Sequence, residues 1–258
     1  MDPKKSTWTK IESVKYHDNY LDILYPDIQK LGLTEPKGIV LFAHGGGWIS
    51  GYRRQPNNVS WYRYLVGKGF LVAAIDYSRG YKAGIEKLID ELIKAVEFLK
   101  QKFKYENYEI SLMGLSAGGH LALLTASRVP EDVKRVVAYY SPCDLIDIWN
   151  STSLFARLAV ATTLKRLPSK SKSIYEKYSP VNHITSKFPS VLLVHGLRDS
   201  IVPYTSSVKM HKGLRKHKIK SKLLLHPYGD HGFEFVLRDK KTVDIIEKTS
   251  LFLEGKEW

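Results

Sequence analysis

Two glycines flank a serine near the middle of the chain, where a strand pattern changes to a helix pattern. The segment 110–120 has the sequence ISLMGLSAGGH, in which Gly114, Ser116 and Gly118 form a G-x-S-x-G signature. A sharp strand-to-helix turn exposes the serine hydroxyl at a helix N-terminus, where the helix dipole favours developing negative charge. Serine is also a common helix N-cap, so the motif alone does not establish a nucleophile. Ser116 is therefore a candidate nucleophile that needs a base and an acid elsewhere in the chain.

Three consecutive glycines end an apolar run upstream of this serine. The segment 41–48 has the sequence LFAHGGGW. Attack on an acyl carbon creates an oxyanion, which backbone N–H groups stabilise, and glycines let the backbone turn its amides inward. We expect the amides of Gly46 and Gly47, with that of Ala117, to form an oxyanion hole, although a shift by one glycine fits the pattern equally well. His44 is expected to shape the loop rather than to transfer a proton.

The general base is expected near the C-terminus, because a nucleophile in this kind of turn is followed along the chain by the acid and then the histidine. His231 lies in the segment 228–233, YGDHGF, and the glycines around it allow a close approach to the serine. His226 falls inside the preceding strand pattern, whereas His211 and His217 fall among lysines on a predicted helix. His231 is thus the predicted base, which takes the serine proton as a neutral imidazole.

Several aspartates compete for the role of the acid that orients the base. Asp199 ends the segment 191–199, VLLVHGLRD, and lies ahead of Pro203, which suits the first turn of a helix. Asp144 follows the preceding strand pattern, where some hydrolases carry their acid. Asp230 is adjacent to the base, and its side chain would have to turn back to reach the ring. We predict Asp199 as the acid and keep Asp144 as the alternative.

The elements that position these residues alternate between strand and helix patterns along the whole chain. Short continuous apolar runs indicate buried parallel strands, and apolar residues at spacings of three and four indicate the helices that cover them. This alternation predicts an α/β fold with a mostly parallel, doubly wound sheet in a single domain over residues 1–258. Strands are predicted at 9–14 and 20–25, as an antiparallel edge, and at 38–43, 71–75, 110–113, 133–140, 191–195 and 223–225. Helices are predicted at 58–66, 85–99, 117–127, 204–216 and 242–253.

The connection between the predicted strands 133–140 and 191–195 is longer than one crossover helix requires. It contains Pro168, Pro180 and several polar clusters. We predict that residues 142–189 form a small helical cap over the carboxyl edge of the sheet, where substrate pockets form. The apolar side chains expected to roof a pocket there are Leu145, Ile148, Trp149, Leu154, Phe155, Leu158 and Leu164.

The composition is that of a folded domain with a basic surface. Hydrophobic residues make up 43% of the 258 residues, which is enough to bury a sizeable core and argues against disorder. The formal net charge of +14 would suit a nucleic acid or an anionic membrane, but the basic residues are scattered among acids. We therefore expect a solvated basic surface and no nucleic-acid partner. The densest basic stretch, 211–222, could still steer an anionic substrate.

A single cysteine, Cys143, excludes an internal disulfide and a multi-cysteine metal site. The N-terminal stretch MDPKKSTWTK is not followed by an apolar signal segment, and no apolar run is long enough to span a bilayer. These observations predict a cytoplasmic protein without membrane insertion, metal or cofactor. They leave the oligomeric state open.

Taken together, these motifs resemble those of the α/β-hydrolase esterases and lipases, in particular hormone-sensitive-lipase-like esterases and bacteroidetes-type feruloyl and acetylxylan esterases. The resemblance is carried by HGGGW at 44–48, GLSAGGH at 114–120, HGLRD at 195–199 and GDHGF at 229–233. Weaker matches at 20–26, 76–77 and 179–183 extend it over nearly the whole chain. The family's usual run Asp-Tyr-Arg-Leu departs here to Asp76-Tyr-Ser-Arg.

The resemblance implies an α/β-hydrolase fold and a triad of Ser116, Asp199 and His231, in agreement with the choice made from the residues. It implies a serine carboxylesterase acting on small-molecule esters with short-chain or aromatic acyl groups, including acetylated or feruloylated sugars. A kynurenine formamidase-like amidase and an oligopeptidase-like hydrolase share much of the same fold and remain alternatives. A catalytically silent binding module on this fold is the non-enzyme alternative, against which the complete triad argues.

Replacement of the candidate nucleophile tests this interpretation. We expect Ser116→Ala to abolish hydrolysis of p-nitrophenyl acetate and to leave the circular dichroism spectrum unchanged, because the hydroxyl supplies the attacking oxygen and little of the packing. A fluorophosphonate should label Ser116, as located by peptide mass spectrometry. Label recovered on another serine would remove Ser116 from this role.

Overall fold

Eight strands form one sheet in the computed structural model, which describes residues 8–104 and 106–257. The strands are β1 (Trp8–Tyr16), β2 (Asn19–Pro26), β3 (Ile39–Ala43), β4 (Leu71–Ile75), β5 (Ile110–Leu115), β6 (Arg135–Tyr139), β7 (Ser190–Gly196) and β8 (Ser221–His226). Their spatial order is β1-β2-β4-β3-β5-β6-β7-β8. Strand β2 runs antiparallel to both of its neighbours, and β3 to β8 run parallel to one another. The predicted antiparallel edge and mostly parallel sheet are confirmed.

Helices connect most of these strands. They are α1 (Ile28–Leu31), α2 (Pro56–Gly67), α3 (Gly80–Ala83), α4 (Ile85–Lys102), α5 (Ala117–Arg128), α6 (Leu145–Trp149), α7 (Leu154–Leu164), α8 (Pro168–Lys177), α9 (Thr205–Lys216), α10 (Phe233–Val236) and α11 (Lys240–Leu253). Short helices such as α1, α3 and α10 were not predicted, because about one turn is too short to show an apolar periodicity. Within the described ranges, no helix is both long and apolar enough to cross a membrane.

Alternate side chains of each strand point to opposite faces of the sheet and so build two cores. Ile39 and Leu41 of β3 pack with α4, α5 and α9 on one face. Val40 and Phe42 pack with α2 and α11 on the other. Each fully buried side chain of this kind stabilises the fold by about 1.5–3 kcal/mol. Because both faces are covered, the parallel strands are apolar at successive positions, which is why the sequence revealed them.

A buried charge interrupts the apolar stripe of α4. Ile89 and Leu92 lie in the core as predicted, and Glu91 between them is buried as well. Its carboxylate accepts hydrogen bonds from the backbone N and the Oγ of Ser78, at 2.7 and 2.6 Å. Burial of an unpaired charge would be costly, so these bonds, with Lys87 at 3.8 Å, make the position tolerable. The loop after β4 is thereby tied to α4.

Most strands differ by one or more residues from the predicted bounds, and β8 and β6 show the physical reasons. Strand β8 covers Ser221–His226 rather than 223–225, because its polar flanking residues still pair with β7 through the backbone. Strand β6 covers Arg135–Tyr139 rather than 133–140, so it begins two residues later and ends one residue earlier than predicted. The next residue, Tyr140, has a φ of 38°, which takes the chain out of the extended conformation.

The segment 142–189 contains α6, α7 and α8 between β6 and β7. Ile148 and Phe155 line a cavity beside the candidate nucleophile, as expected of pocket-roofing residues. Leu154 and Leu158 instead face solvent, with 66% and 57% of their surface exposed. One side of α7 therefore forms the pocket wall, and the sequence prediction that Leu154 and Leu158 roof the pocket is wrong.

The turn between β5 and α5 is tight at its serine and at a glycine two residues later. Ser116 has φ 52° and ψ −120°, a conformation that is strained for a residue with a side chain. Gly118 lies so close to β3 that an added Cβ would collide with the carbonyl oxygens of Ala43 and His44. The missing side chain therefore lets the first turn of α5 pack directly against β3.

Replacement of this glycine tests the close approach. We expect Gly118→Ala to lower the free energy of unfolding by about 2–3 kcal/mol, because backbone must move to admit the methyl group. The control is Gly32→Ala, where an added Cβ meets no atom within 4 Å and the φ of 65° is the main strain; we expect a loss of about 1 kcal/mol there. Urea denaturation measures both, and equal losses would contradict the packing described.

Candidate active site

Ser116, Asp199 and His231 lie at the carboxyl ends of strands. Ser116 follows β5, Asp199 follows β7 and His231 follows β8. The carboxyl ends of parallel strands share one edge of the sheet, so the loops that leave them meet there. Ser116 Oγ lies 3.0 Å from His231 Nε2, and His231 Nδ1 lies 2.8 Å from Asp199 Oδ2. The structure thus brings together the three side chains that the sequence selected.

The Asp199 carboxylate is fully buried yet surrounded by donors. Oδ1 accepts hydrogen bonds from the amides of Ile201 and Val202, each at 2.8 Å. Oδ2 lies near the His231 ring and 3.2 Å from His195 Nε2. Burial alone would raise the pKa of the Asp199 carboxyl, but the bonds from His195 and His231 outweigh it and hold this pKa well below its usual range. Asp199 therefore stays ionised and can orient the His231 ring.

His195 is a neighbour of the acid whose role the sequence did not reveal. Its side chain is buried, with Nδ1 at 2.8 Å from Ser207 Oγ and Nε2 at 2.9 Å from the Val202 carbonyl oxygen. Nε2 faces the Val202 carbonyl and the Asp199 carboxylate, so it acts as the donor, and Nδ1 accepts from Ser207. The motif HGLRD contains this histidine, and its spacing of four from Asp199 was the available signal.

The glycine loop after β3 presents free amides beside Ser116. Gly46 and Gly47 line the same cleft as Ser116 and His231. Gly46 has a φ of 120°, which side chains rarely adopt. Within residues 8–104 and 106–257, the amides of Gly46, Gly47 and Ala117 donate to no backbone carbonyl. They are therefore available to an acceptor beside Ser116, and their role as an oxyanion hole stays a prediction.

His44 and Tyr77 support the glycine loop from below. Their rings stack with centroids 4.2 Å apart and planes within 12°, and the Tyr77 hydroxyl donates to the His44 carbonyl at 2.7 Å. Burial lowers the pKa of His44 to about 4, so the ring is neutral at physiological pH. This environment agrees with a shaping role for His44 and not with proton transfer.

Arg79 lies where this sequence departs from the family's usual Asp-Tyr-Arg-Leu run. Its guanidinium donates to the carbonyls of Ser50 and Gly51, which follow the glycine loop. On the other side of the loop, Trp48 Nε1 donates to His120 Nδ1 at 3.2 Å. Arg79 and Trp48 thus hold the loop from two sides.

Two cavities meet at Ser116. The larger is an open cleft of about 550 Å³, whose wall includes Tyr52, Gln55, Asn57 and Phe155. The smaller has a volume of about 10 Å³ and is apolar. The residues that line the smaller cavity are Gly47, Trp48, Ser116, Ala117, Pro142, Ile148, Phe155, Ala156, Ala159, Ile201 and Val202. Ser116 and Gly47 thus line both cavities, whereas Gly46 lines only the wide cleft and Ala117 only the narrow apolar space.

The alternative acids have other partners. Asp144 caps α6, where its Oδ1 accepts from the Ile146 amide at 3.0 Å, and its Oδ2 lies 3.0 Å from Lys209 Nζ. Asp230 accepts from the amides of Ser200 and His231, which makes it a turn residue. Neither carboxylate is hydrogen-bonded to the His231 ring in the described part of the chain.

The alternative histidines also lie elsewhere. His226 is buried at the end of β8, where Nε2 lies 3.2 Å from Asp239 Oδ1. His211 contacts Ser221 Oγ at 3.0 Å, and His217 contacts the Gly213 carbonyl at 3.0 Å. Among the residues that the structure describes, no cluster of histidine, cysteine and acidic side chains is arranged to hold a metal ion.

Comparison with known families agrees with this geometry. The profile of the BD-FAE family matches residues 21–214. The chain belongs to the BD-FAE family. The resemblance to α/β-hydrolase esterases predicted from the motifs is thereby confirmed. The BD-FAE match includes the glycine loop, Ser116 and Asp199, and it ends before His231.

Curated relatives of this BD-FAE chain are esterases by name. A probable isoprenylcysteine alpha-carbonyl methylesterase of Oryza sativa subsp. japonica is 27% identical over 92% of this chain and 63% of that protein. Esterase LipC of Mycobacterium tuberculosis is 26% identical over 85% of this chain and 59% of that protein. The chain therefore spans about three-fifths of the length of these relatives.

Solved structures share the fold. A truncated carbohydrate esterase from gut microbiota superposes with a TM-score of 0.82 at 21% identity, covering 98% of this chain and 99% of that one. Carboxyl esterase 2 from the mycorrhizal fungus Tuber melanosporum superposes with a TM-score of 0.79 at 18% identity, covering 98% and 89%. These structural neighbours show that the fold is that of the α/β-hydrolases.

A pair of matched substitutions tests which aspartate orients the base. We expect Asp199→Asn to lower kcat for p-nitrophenyl acetate by roughly 10³–10⁴-fold, because an amide cannot hold the imidazole in the required tautomer or stabilise its charge. Asp144→Asn should change kcat by less than about twofold, since asparagine caps a helix as well as aspartate does. The opposite ranking would move the acid to the loop after β6.

Proposed function

We propose that this chain is a serine carboxylesterase that uses Ser116 as nucleophile, His231 as general base and Asp199 as the acid. The observation that supports it most is the unbroken series of contacts from Ser116 Oγ through the His231 ring to the buried Asp199 carboxylate. The esterase relatives support the same reaction class. Residues 1–258 form one domain in this proposal, with 142–189 as its cap.

The reaction follows from the geometry of these groups. His231 Nε2 takes the Ser116 proton as Oγ attacks the ester carbonyl, and Asp199 stabilises the imidazolium that forms. The amides of Gly46, Gly47 and Ala117 donate to the oxyanion. His231 then gives its proton to the departing alcohol, which leaves an acyl group on Ser116. Water attacks this acyl-enzyme by the same steps, with His231 again as base, and releases the acid.

The small cavity indicates a short acyl group. Its volume of about 10 Å³ is the space of about one water molecule or one methyl group. Its position beside the Ala117 and Gly47 amides suits the substituent on the acyl carbon. An acetyl group fits this space, whereas a feruloyl group does not, so acetate esters are favoured over the aromatic esters that the sequence also allowed.

The open cleft supports a larger, polar alcohol. Its wall carries the amide side chains of Gln55 and Asn57 and the phenol of Tyr52, which can exchange hydrogen bonds with hydroxyl groups. A structural neighbour named as a carbohydrate esterase is consistent with such an alcohol. We therefore propose acetylated sugars as the substrate class.

A cytoplasmic location and the lack of a nucleic-acid partner stay predictions from the sequence.

The same small cavity also favours a second candidate. A formyl group is smaller than an acetyl group, so an N-formyl amide of the kind cleaved by kynurenine formamidases fits the acyl side as well. Parallel assays of acetylated xylan, methyl ferulate and N-formylkynurenine separate the candidates. Turnover of the acetylated sugar with a kcat/KM above the other two supports the esterase proposal, and preference for the formyl amide supports the amidase.

The acyl cavity predicts a dependence on chain length that one side chain controls. On p-nitrophenyl esters from acetate to palmitate, kcat/KM should be highest for acetate and fall as the chain outgrows the cavity. Phe155→Ala removes a ring from the cavity wall and should raise the butyrate-to-acetate ratio about tenfold, since each buried methylene contributes about 0.8 kcal/mol.

A neighbouring residue provides the control for this series. Leu158 lies on the same helix and faces solvent, so Leu158→Ala should leave the butyrate-to-acetate ratio within about twofold of wild type, as expected for a surface substitution. A wild-type maximum at dodecanoate or longer would show that the groove is that of a lipase and that the proposed substrate class is wrong.

A further inference from the structure

A half-buried acid, Glu234, lies near the candidate base. Glu234 in α10 accepts a hydrogen bond of 2.6 Å on its Oε1 from the Tyr140 hydroxyl. Its Oε2 is buried and has no hydrogen-bond partner among the residues described. The Tyr140 ring packs against the His231 ring with centroids 4.5 Å apart and planes at 55°. Tyr140 therefore contacts His231 through its ring and Glu234 through its hydroxyl.

We propose that Tyr140 and Glu234 are positioning residues for His231. Tyr140 holds the imidazole in place from the end of β6, and the ionised Glu234 carboxylate stabilises the imidazolium that forms during turnover. This inference rests on the proposed function, because it requires His231 to accept the Ser116 proton. The triad motif did not indicate either residue.

The backbone of Tyr140 supports a role at the site. Its φ of 38° is unusual for a residue with a bulky side chain, and its amide donates to the Val194 carbonyl at 2.6 Å. Such a conformation costs about 1–3 kcal/mol and persists where surrounding contacts fix it, often at functional sites. The contacts here are the hydroxyl bond to Glu234 and the ring packing on His231. The side chain also lines the cleft next to Ser116.

The sequence carried a weak signal for Glu234. The residue lies between Phe233 and Phe235 in the run GFEFV, directly after the predicted base. A charged residue between large apolar ones at the start of a short helix indicates a side chain that is buried for a reason. The matching tyrosine lies 94 positions upstream, so its pairing with Glu234 appears only in the fold.

The charged and titratable groups around Glu234 determine whether its negative charge stabilises or destabilises the His231 imidazolium. Tyr139 at the end of β6 and Tyr140 just after it lie near Glu234; burial raises the pKa of both phenols and the charge of Glu234 raises it further, so both stay neutral. The Asp199 carboxylate also raises the pKa of the Tyr140 phenol. Protonated His231 is the positive charge that acts on Glu234 from the same loop. On the outer side, Tyr64 of α2 and Arg238 after α10 line a groove next to Glu234.

The ionisation of Glu234 falls in the working range of a hydrolase. Burial raises the pKa of Glu234 to about 7, against the hydrogen bond from Tyr140 and the charge of protonated His231. The carboxyl is therefore mostly neutral below this pH and mostly ionised above it. An ionised Glu234 attracts the imidazolium that forms at His231 during the proposed turnover, because the two charges are opposite. The stabilisation is present at alkaline pH and lost at acid pH.

Glu234→Gln tests the proposal, because glutamine keeps the shape and can accept from Tyr140 but cannot ionise. We compare kcat for p-nitrophenyl acetate between pH 5.5 and 8.5, recorded where the absorbance of p-nitrophenol is independent of pH. The kcat of wild type and of the variant should be equal at pH 5.5, where Glu234 is mostly neutral. At pH 8.5 the kcat of wild type should be about fivefold higher, as expected for the attraction between two partly screened charges. KM should stay unchanged.

Two tyrosine variants complete the test. Tyr140→Phe should lower kcat at every pH and leave KM within about twofold, since the ring that lines the cleft is kept and only the bond to Glu234 is lost. The matched control is Tyr139→Phe, which removes a buried hydroxyl bond of 2.7 Å to Thr249 on the other side of β6. This variant should lose stability but keep the kcat and pH profile of wild type.

Thermal unfolding provides an independent readout of the half-buried acid. A folded-state pKa above the unfolded value means that wild type loses stability as pH rises from about 4.5 to about 7, where only the unfolded chain is ionised. Glu234→Gln should therefore raise the melting temperature more at pH 8.5 than at pH 5.5.

The outcomes separate this inference from the proposed function. A wild-type to Glu234→Gln ratio that is the same at every pH would overturn the inference and leave Glu234 a packing residue. Turnover that survives in Ser116→Ala would overturn the proposed function whatever the Glu234 result. A pH-dependent ratio with kcat lost in Ser116→Ala supports both.

Discussion

The buried negative charge of Asp199 is the constraint on which the site depends. A carboxylate with no exposed surface is stable only if donors replace the water that it has lost. The loop after β7 supplies two amides, His195 supplies a ring N–H, and His231 completes the set. Because the carboxylate has few other ways to satisfy its oxygens, the His231 ring is held in one tautomer with Nε2 directed at Ser116.

The opposite half of the site depends on backbone conformation rather than on charge. The glycine loop after β3 and the serine turn after β5 both have torsion angles that most residues avoid. Neutral groups hold the loop, through the stack of His44 on Tyr77 and the bond from Trp48 to His120. Arg79 closes the loop on its outer side. Amides fixed in this way need little reorganisation when charge develops on the substrate, which is how preorganised donors lower a barrier.

Much of this arrangement could be predicted from the sequence, because strong local patterns carry it. The parallel strands are apolar on both faces, and the serine, acid and histidine follow strands in a fixed chain order. What could not be predicted are contacts between distant segments with ordinary residue types. Tyr140 and Glu234 are an example, since neither belongs to a motif and the fold alone brings them together.

The limits of the cap prediction have a similar origin. Helix α7 is apolar on more than one side, and the sequence does not show which side meets the cleft. Phe155 lies against the cavity, whereas Leu154 and Leu158 do not. The size of the small cavity beside Ser116 likewise depends on how α6 and α7 pack above it. Composition indicates that a pocket can be roofed, but packing decides how much space remains.

The most direct test of the account is to trap the intermediate that it requires. Turnover of an acetyl ester is quenched with acid at short times, the protein is digested, and the position of the acetyl group is found by tandem mass spectrometry. The account predicts an acetyl group on Ser116, in the segment 110–128. The acetylated peptide should be present during steady-state turnover and should disappear once the substrate is consumed. Acetyl on another residue would contradict the account. Turnover with no acetylated peptide at any quench time would contradict it as well.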